Sequence, residues 1–128
     1  MVPKYRAYDG GSLNRMYQPD EVMVGNGDIW IIDEDSVAGE WIVNNDIHLM
    51  QSTGLLDKNG KEIFEGDIVD YKGRKAVIKW HGSYASFIYI FVDELQKRVA
   101  GWSPLYLAYF HFEVIGNKFE TPELLEDE

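Results

Sequence analysis

The sequence contains no cysteine among its 128 residues. This absence excludes a disulfide scaffold, a thiol nucleophile, a thiolate zinc site and an iron–sulfur cluster, and it fits a reducing compartment. No apolar run approaches the roughly 18 residues of a membrane-spanning helix. Residues 1–6 also lack the apolar stretch of a secretory signal. We therefore expect a cytoplasmic protein that has no contact with a membrane.

Positive charge is scarce as well. The chain carries 12 basic and 22 acidic side chains, for a formal net charge of −10. An acidic protein repels phosphate at long range, which disfavours general nucleic-acid binding. One local exception is a basic segment, in which Tyr71 and Trp80 accompany Lys72, Arg74, Lys75 and Lys79. It is either an ordinary hairpin with solvated charges or a contact surface for phosphate or an acidic partner.

Apolar and aromatic residues are plentiful. Hydrophobic residues make up 45% of the chain, which is enough to bury a core. Aromatic residues make up 14%, or 18 side chains, which is more than one small core needs. Because aromatic residues are enriched at subunit interfaces, we expect some of them to serve self-association, and we predict a homo-oligomer.

Short strand-like runs separated by turn residues dominate the first half of the chain. Residues 4–8 and 13–17 flank an Asp-Gly-Gly turn, which predicts a β-hairpin. Residues 21–24 and 28–33 flank a Gly-Asn-Gly turn and are expected to pair in the same way. Two further strands are expected after an exposed loop at 33–39, namely residues 40–43 and 47–51.

The second half has the strongest turn signals. Asn59-Gly60 and Glu65-Gly66-Asp67 predict tight turns, and Gly73 predicts a hairpin that returns into residues 75–80. Residues 85–92 and 112–115 read as strands, with a turn at Gly116-Asn117, whereas residues 105–111 fit helix or strand equally. Thr121 followed by proline predicts a short terminal helix, with Leu124 and Leu125 docking on the sheet.

These elements predict a mainly β fold of the β-rich α+β type. We expect a small SH3-like antiparallel barrel, preceded by a β-rich N-terminal part and followed by a short C-terminal helix. The chain is expected to form one domain over 1–128. Its predicted sub-regions are the N-terminal part at 1–50, a junction at 51–60, the barrel at 61–117, and the helix and tail at 118–128.

Motifs for catalysis or metal binding are weak. The three histidines lack metal-ligand spacing, and residues 57–60 do not match a calcium loop. Four carboxylates cluster at Glu62, Glu65, Asp67 and Asp70. Glu65 and Asp67 could share a face as a catalytic pair, but we favour a solvated edge in which Asp67 caps its own turn. We predict no catalytic residue, no cofactor and no metal.

Three segments carry a resemblance to a known family. They are Tyr5-Arg6-Ala7-Tyr8-Asp9 near the start, the run from Met50-Gln51-Ser52-Thr53-Gly54 through Glu65-Gly66-Asp67-Ile68-Val69, and residues 112–125. In this order they resemble the YopX family of small proteins from bacteriophages and prophages. Two departures are Tyr8, where tryptophan is usual, and Ser52, where an aromatic residue is common. The resemblance implies a phage or prophage origin, a host cytoplasm and a β-rich fold that can oligomerise, but it implies no activity and no catalytic residues.

The middle segment, Met50 to Val69, is here called the central signature. Some of its residues have no evident role in a turn, and they suggest where a binding site would lie. Gln51 and Thr53 are of this kind, and we expect them to converge with Asp57 and Asp67. Together with the basic segment, these residues are the candidate partner-binding positions.

Three functions are compatible with these observations. The favoured one is a non-enzymatic accessory protein that binds itself or an unknown phage or host protein. The alternative is a nucleic-acid-linked module, which either binds through the basic hairpin or uses its acidic surface to mimic DNA against a host enzyme. An enzyme is the least favoured, because it would require a cleft with paired acids or histidines.

Overall fold

The structure is a computed structural model, and it describes residues 3–11, 13–99 and 101–126. Among the described residues, strands account for 48% and short helical turns for 13%, and none of the helices there is long. The antiparallel sheets are curled, so the predicted mainly β class is confirmed. The SH3-like description stays a prediction. Residues 127 and 128 of the predicted tail lie outside the described residues, as do 1 and 2.

The chain divides into two compact units, Met1–Gln51 and Ser52–Glu128. The predicted arrangement of one domain with sub-regions at 1–50, 51–60, 61–117 and 118–128 stays a prediction. No helical segment in the described ranges is long and apolar enough to cross a membrane.

The first unit consists of short antiparallel strands joined by the predicted turns. β1 pairs with β2 and with the first half of β6, while β3, β4 and β5 form a three-stranded sheet. Asn26 and Gly27 both have positive φ, which matches the twist of the hairpin that they join. The strands are β1 (Tyr5–Asp9), β2 (Arg15–Tyr17), β3 (Val22–Gly25), β4 (Asp28–Ile32), β5 (Trp41–Val43) and β6 (His48–Leu56).

The core of the first unit is small and apolar. Its buried members come from different strands and from the loop before β6, and they are Ala7, Tyr17, Val22, Ile31 and Ile47. Residues 29–32 of β4 are all apolar, but only Ile31 among them is buried, and the other three are partly exposed. Alternation explains this difference, since successive side chains of a strand point to opposite faces.

The second unit is built on a five-stranded antiparallel sheet. The strand order is β11-β10-β9-β8-β12, and β7 pairs separately with the second half of β6. Lys72 and Gly73 both have positive φ, which gives the predicted tight hairpin between β8 and β9. The strands are β7 (Glu62–Phe64), β8 (Asp67–Tyr71), β9 (Arg74–His81), β10 (Ser86–Phe91), β11 (Ser103–Pro104) and β12 (Glu113–Asn117).

One face of this sheet carries the core of the second unit. The buried cluster has no exposed surface, and it consists of Ile63, Val69, Ala76, Ile78, Leu105 and Phe112. Leu105 and Phe112 bracket the stretch that the sequence left ambiguous. That stretch forms two 3₁₀ turns, Leu105–Leu107 and Tyr109–His111, because both of its ends are drawn into the core.

The C-terminal segment differs from the prediction. Gly116 and Asn117 belong to β12, which has a bulge between Val114 and Gly116, and the turn follows them. The predicted terminal helix is a single 3₁₀ turn, Pro122–Leu125. Thr121 does not cap it through its side chain. Instead, the Thr121 hydroxyl donates to the Asn117 carbonyl and accepts from the Asn117 N–H, both at 2.9 Å, which ties the turn back to β12.

Candidate functional site

The basic segment is divided between the two faces of its hairpin. Because side chains alternate along a strand, Arg74 lies on the core face of β9, whereas Lys75 and Lys79 lie on the opposite face. Lys72 sits in the turn itself, with its ammonium 5.5 Å from the centre of the Tyr71 ring. The four cations therefore do not form one continuous surface, which weakens the interpretation of this segment as a phosphate-binding site.

Arg74 is held by a carboxylate. Its Nε and Nη2 atoms each donate to Asp93 at 2.8 Å, and its guanidinium stacks 3.6 Å from the centre of the Phe91 ring. The hydrogen bond with Asp93 raises the pKa of Arg74, and the same bond lowers the pKa of Asp93. Both groups therefore stay charged at neutral pH, and they balance each other locally.

Asp57 is a buried structural residue. Its Oδ1 accepts from the N–H groups of Asn59 and Lys61 at 2.9 and 2.8 Å, and its Oδ2 accepts from Val114 at 2.9 Å. Burial raises the pKa of Asp57, but the three backbone hydrogen bonds outweigh that effect and the net pKa is lowered. Asp57 thus joins the turn after β6 to the beginning of β12.

The other signature residues also make local contacts. The Thr53 hydroxyl donates to the Ile63 carbonyl at 2.7 Å. The Oδ2 of Asp67 accepts from the Phe64 N–H at 2.8 Å, so this residue caps its own turn as predicted. The prediction that it lies at a solvated edge is wrong for Asp67, because this side chain is only 1% exposed. Gln51 is in register with Tyr5 in the first unit. The expected convergence of these residues stays a prediction.

In the described part of the chain, no group of three or more His, Asp or Glu side chains is arranged to bind a metal ion. The carboxylates of the predicted cluster have separate surroundings. Glu62 accepts from the Ser52 hydroxyl, and Asp70 accepts from the Gly73 N–H at 3.3 Å in the β8–β9 turn.

The second unit contains a cleft of about 490 Å³, here called the aromatic cleft. Its lining combines residues from β8, β9 and β10 with residues from the two 3₁₀ turns before β12. These are Tyr71, Arg74, Tyr89, Phe91, Leu107, Ala108, His111 and Phe112.

The rings of the aromatic cleft pack edge to face. Phe112 is fully buried, and the rings of Tyr71 and Tyr89 meet it at interplanar angles of 89° and 81°. The centroid distances are 5.7 and 4.9 Å, within the favourable range for aromatic pairs. Leu107 is 59% exposed at the rim. Tyr71 and Tyr89 are thus half-buried side chains that pack against the core, and Phe112 itself has no exposed surface.

A second aromatic feature lies at the other end of the β9–β10 hairpin. We call it the ring cluster, and it consists of His81, Tyr84, Trp102 and Tyr106. The Trp102 ring lies 4.6 Å from His81 and 5.1 Å from Tyr84. Tyr84 is hydrogen-bonded to Tyr106, which raises the pKa of Tyr84, and the Tyr84 N–H donates to His81 Nδ1 at 3.0 Å. Its tyrosine and tryptophan side chains are 40–54% exposed.

The sequence pointed to neither aromatic feature as a site. The excess of aromatic residues was the available signal, but composition does not show which rings meet. Residues 105–111 supply side chains to both features, and their conformation could not be predicted. By contrast, the acidic and hydroxyl residues that were chosen from the central signature make hydrogen bonds to backbone groups and so stabilise the fold.

Comparisons with known proteins extend over nearly the whole chain. A family model described as YopX protein matches residues 4–126. Among solved structures, the chain is similar to the crystal structure of protein EF1440 from Enterococcus faecalis. The two share 28% sequence identity with a TM-score of 0.57, over 98% of this chain and 99% of that chain. No curated protein gives a significant match.

Proposed function

Because this chain belongs to the YopX family, as its three sequence motifs predicted, we propose that it is a phage-type accessory protein without enzymatic activity. In this proposal it acts in the host cytoplasm by protein–protein binding or by self-assembly. The observation that carries the proposal is the ring cluster, which holds three large aromatic side chains partly exposed at one end of a hairpin.

The chemistry of the ring cluster suits a protein interface. Tyrosine and tryptophan are enriched among the residues that contribute most to binding, since they bury a large apolar area and keep a polar group for hydrogen bonding. Trp102 is 40% exposed and Tyr106 is 54% exposed, so much of that area still faces water. A partner surface that covers these rings would gain the free energy of their burial.

The ring cluster is also preorganised. Trp102 contacts both His81 and Tyr84, and the Tyr84 N–H is bound to the imidazole of His81. Side chains that are already held in place lose little conformational entropy when they bind. This rigidity supports a role in recognition, because a loosely held aromatic loop would lose more entropy on binding.

The roles of the signature acids support a non-enzymatic function. Asp57 and Asp67 both use their carboxylates to accept backbone hydrogen bonds. Catalytic acids and bases are usually open to a substrate and have a pKa near the working pH. The pKa of Asp57 is shifted in the opposite direction, so this residue is suited to stabilising the fold.

The proposal is tested by substituting Trp102. We would compare the wild-type chain with Trp102→Ala and with the control Val99→Ala, which alters a residue that is 86% exposed and outside the ring cluster. Size-exclusion chromatography with light scattering measures self-assembly. Affinity capture from host lysate, with and without nuclease, measures partner binding. Thermal melting confirms that both variants are folded.

We expect Trp102→Ala to weaken self-assembly or capture by at least about tenfold, as for the loss of an interface tryptophan, and Val99→Ala to leave both unchanged. A wild-type monomer that captures no protein would refute the proposal, as would equal behaviour of the two variants. Capture that disappears with nuclease would instead favour the nucleic-acid alternative.

A further inference from the structure

We propose that the outer edge of β5 (Trp41–Val43) pairs with the same edge of a second copy of this chain, which joins two three-stranded sheets into one antiparallel sheet of six strands. This inference rests on the proposed function only in that self-assembly is one of its two modes. It deepens that proposal by naming the surface and the partner, and it uses the first unit rather than the ring cluster.

The outer edge of β5 is open and apolar. β5 is the terminal strand of a sheet with the order β3-β4-β5, and among the residues that the structure describes no other strand pairs with its outer side. Ile42 and Val43 are each 44% exposed. The strand contains no proline, no charged side chain and no bulge, which are the features by which edge strands usually avoid pairing.

The register of β4 and β5 determines which backbone groups of β5 point outward. The Asn44 N–H, just after β5, donates to the Ile29 carbonyl at 2.8 Å. Because hydrogen-bonded pairs alternate along an antiparallel ladder, Ile42 directs its N–H and C=O toward β4. Trp41 and Val43 therefore direct theirs outward, where these groups meet no hydrogen-bonding partner among the described residues.

These outward groups are complementary to those of a second copy in one register. A two-fold axis at Ile42 places Trp41 opposite Val43 of the second copy, and Val43 opposite Trp41 of the second copy. Each of these two pairs exchanges two hydrogen bonds, so all the outward donors and acceptors of β5 are satisfied. Ile42 meets its own counterpart at the axis, in the closely spaced type of antiparallel pair.

The side chains fit the same register. Trp41 and Val43 share one face of the sheet, so each would lie against an apolar side chain across the junction. At its ends, the exposed carboxylate of Glu40 would lie opposite Asn44 of the second copy, whose NH₂ group can donate to it. An axis at Trp41 or Val43 would instead oppose Ile42 with Glu40 or Asn44, so polarity selects the axis at Ile42.

Charge and size determine the strength of this dimer. Two copies that each carry a net charge of −10 repel one another, although the junction itself opposes no like charges. Salt screens this repulsion and leaves the backbone pairing and the apolar contacts, so the dimer should become stronger as ionic strength rises. Since β5 has only 3 residues, the junction buries less than a standard interface, and we expect a Kd in roughly the micromolar-to-millimolar range.

The first test is disulfide cross-linking, which is unambiguous because the chain contains no cysteine. Ile42→Cys would bring two Cα atoms to about 4.5 Å, and a disulfide spans about 4.4–6.8 Å. Val43→Cys is the matched control, because Val43 is equally exposed but its counterpart would lie more than about 7 Å away. Val99→Cys, at a site that is 86% exposed in the second unit, measures random collision.

We expect Ile42→Cys to form a disulfide dimer at least about tenfold faster than either control, because pairing raises the effective concentration of the two thiols. Non-reducing electrophoresis during mild oxidation measures the three rates, which should become equal in urea. Equal rates without urea would refute the pairing. A Val43→Cys variant that reacts as fast as Ile42→Cys would refute the register.

The second test removes one outward N–H from each copy. Val43→Pro should abolish the dimer, whereas proline is tolerated at an edge position whose N–H faces solvent. Val43→Thr keeps both the N–H and the branched shape, so it should retain most of the dimer. Sedimentation equilibrium at low and high salt measures association, and thermal melting confirms folding. A dimer that survives Val43→Pro, or that weakens as salt rises, would contradict the proposal.

Three outcomes separate this inference from the proposed function. If assembly or capture depends on Trp102 while Ile42→Cys reacts no faster than its controls, the inference fails and the proposed function stands. If Ile42→Cys cross-links selectively while Trp102→Ala changes nothing, the inference stands and the ring cluster is not the interface. If Val43→Pro weakens capture of a different protein and the wild-type chain is monomeric, the edge accepts a strand from that protein, and the inference is wrong.

Discussion

The substitution Gly116→Ala probes the contact that ties the C-terminal turn to β12. A Cβ atom built on Gly116 would lie 2.1 Å from the Thr121 hydroxyl oxygen and 2.9 Å from Leu124 Cδ1. The Thr121 side chain cannot move aside freely, because its hydroxyl makes two hydrogen bonds to the Asn117 backbone. The added methyl group must therefore displace the turn or break these bonds.

The magnitude follows from these contacts. Overpacking of a well-packed site costs about 1–3 kcal/mol, and the loss of one Thr121 hydrogen bond adds about 1 kcal/mol. We therefore expect Gly116→Ala to lower the free energy of unfolding by about 2–4 kcal/mol. For a chain of this length that corresponds to a fall in Tm of roughly 10 °C. Differential scanning calorimetry and urea unfolding measure the two quantities.

The matched control is Gly82→Ala in the same unit. A Cβ atom at Gly82 would meet nothing within 4 Å, so this variant should change stability by less than about 0.5 kcal/mol. In a double-mutant cycle, Gly116→Ala combined with Thr121→Ala should be less destabilising than the sum of the two single changes. A Gly116→Ala variant as stable as Gly82→Ala, or strict additivity in the cycle, would refute the reasoning.

Two further predictions concern turns of the central signature. Asp57→Asn should destabilise the protein by about 1–3 kcal/mol at neutral pH, because an amide nitrogen replaces one of the oxygens that accept from backbone N–H groups. Since the pKa of Asp57 is lowered in the folded state, its contribution to stability is present above the ordinary aspartate pKa of 3.8 and is lost as pH falls through the folded-state pKa. Urea titrations at pH 7 and pH 3 should show a smaller difference from wild type at pH 3, and an equal difference would contradict this account. Gly66→Val should lower the Tm, because Gly66 has φ of +87° and a β-branched residue is strained there. Thermal melting that leaves the Tm unchanged would show that this turn does not need its glycine.

The turns are the part of the fold that could be predicted from neighbouring residues. Gly66 and the pair Lys72 and Gly73 have the positive φ values that their turns require, and the hairpin between β8 and β9 formed as predicted. Asp67 caps its own turn, as expected. These outcomes depend on residues within a few positions of each other, so the relevant physics is contained in a short window of sequence.

Contacts between distant residues could not be predicted in the same way. Arg74 was grouped with three lysines as a basic patch, but its partner is Asp93, 19 residues further along the chain. Asp57 was considered for a site with Asp67, but it binds the Val114 N–H across 57 residues. In both cases the side chain has a partner that only strand pairing brings near.

The sequence by itself determined the mainly β class, the positions of most turns, the excess of aromatic residues and the family. Each of these depends on local backbone preferences or on a pattern that can be compared along one chain. Only the tertiary structure decided which rings form the aromatic cleft and the ring cluster, and how residues 105–111 fold. The reason is that those residues have no decisive periodicity, so their conformation depends on the burial of Leu105 and Phe112 in a core assembled from distant strands.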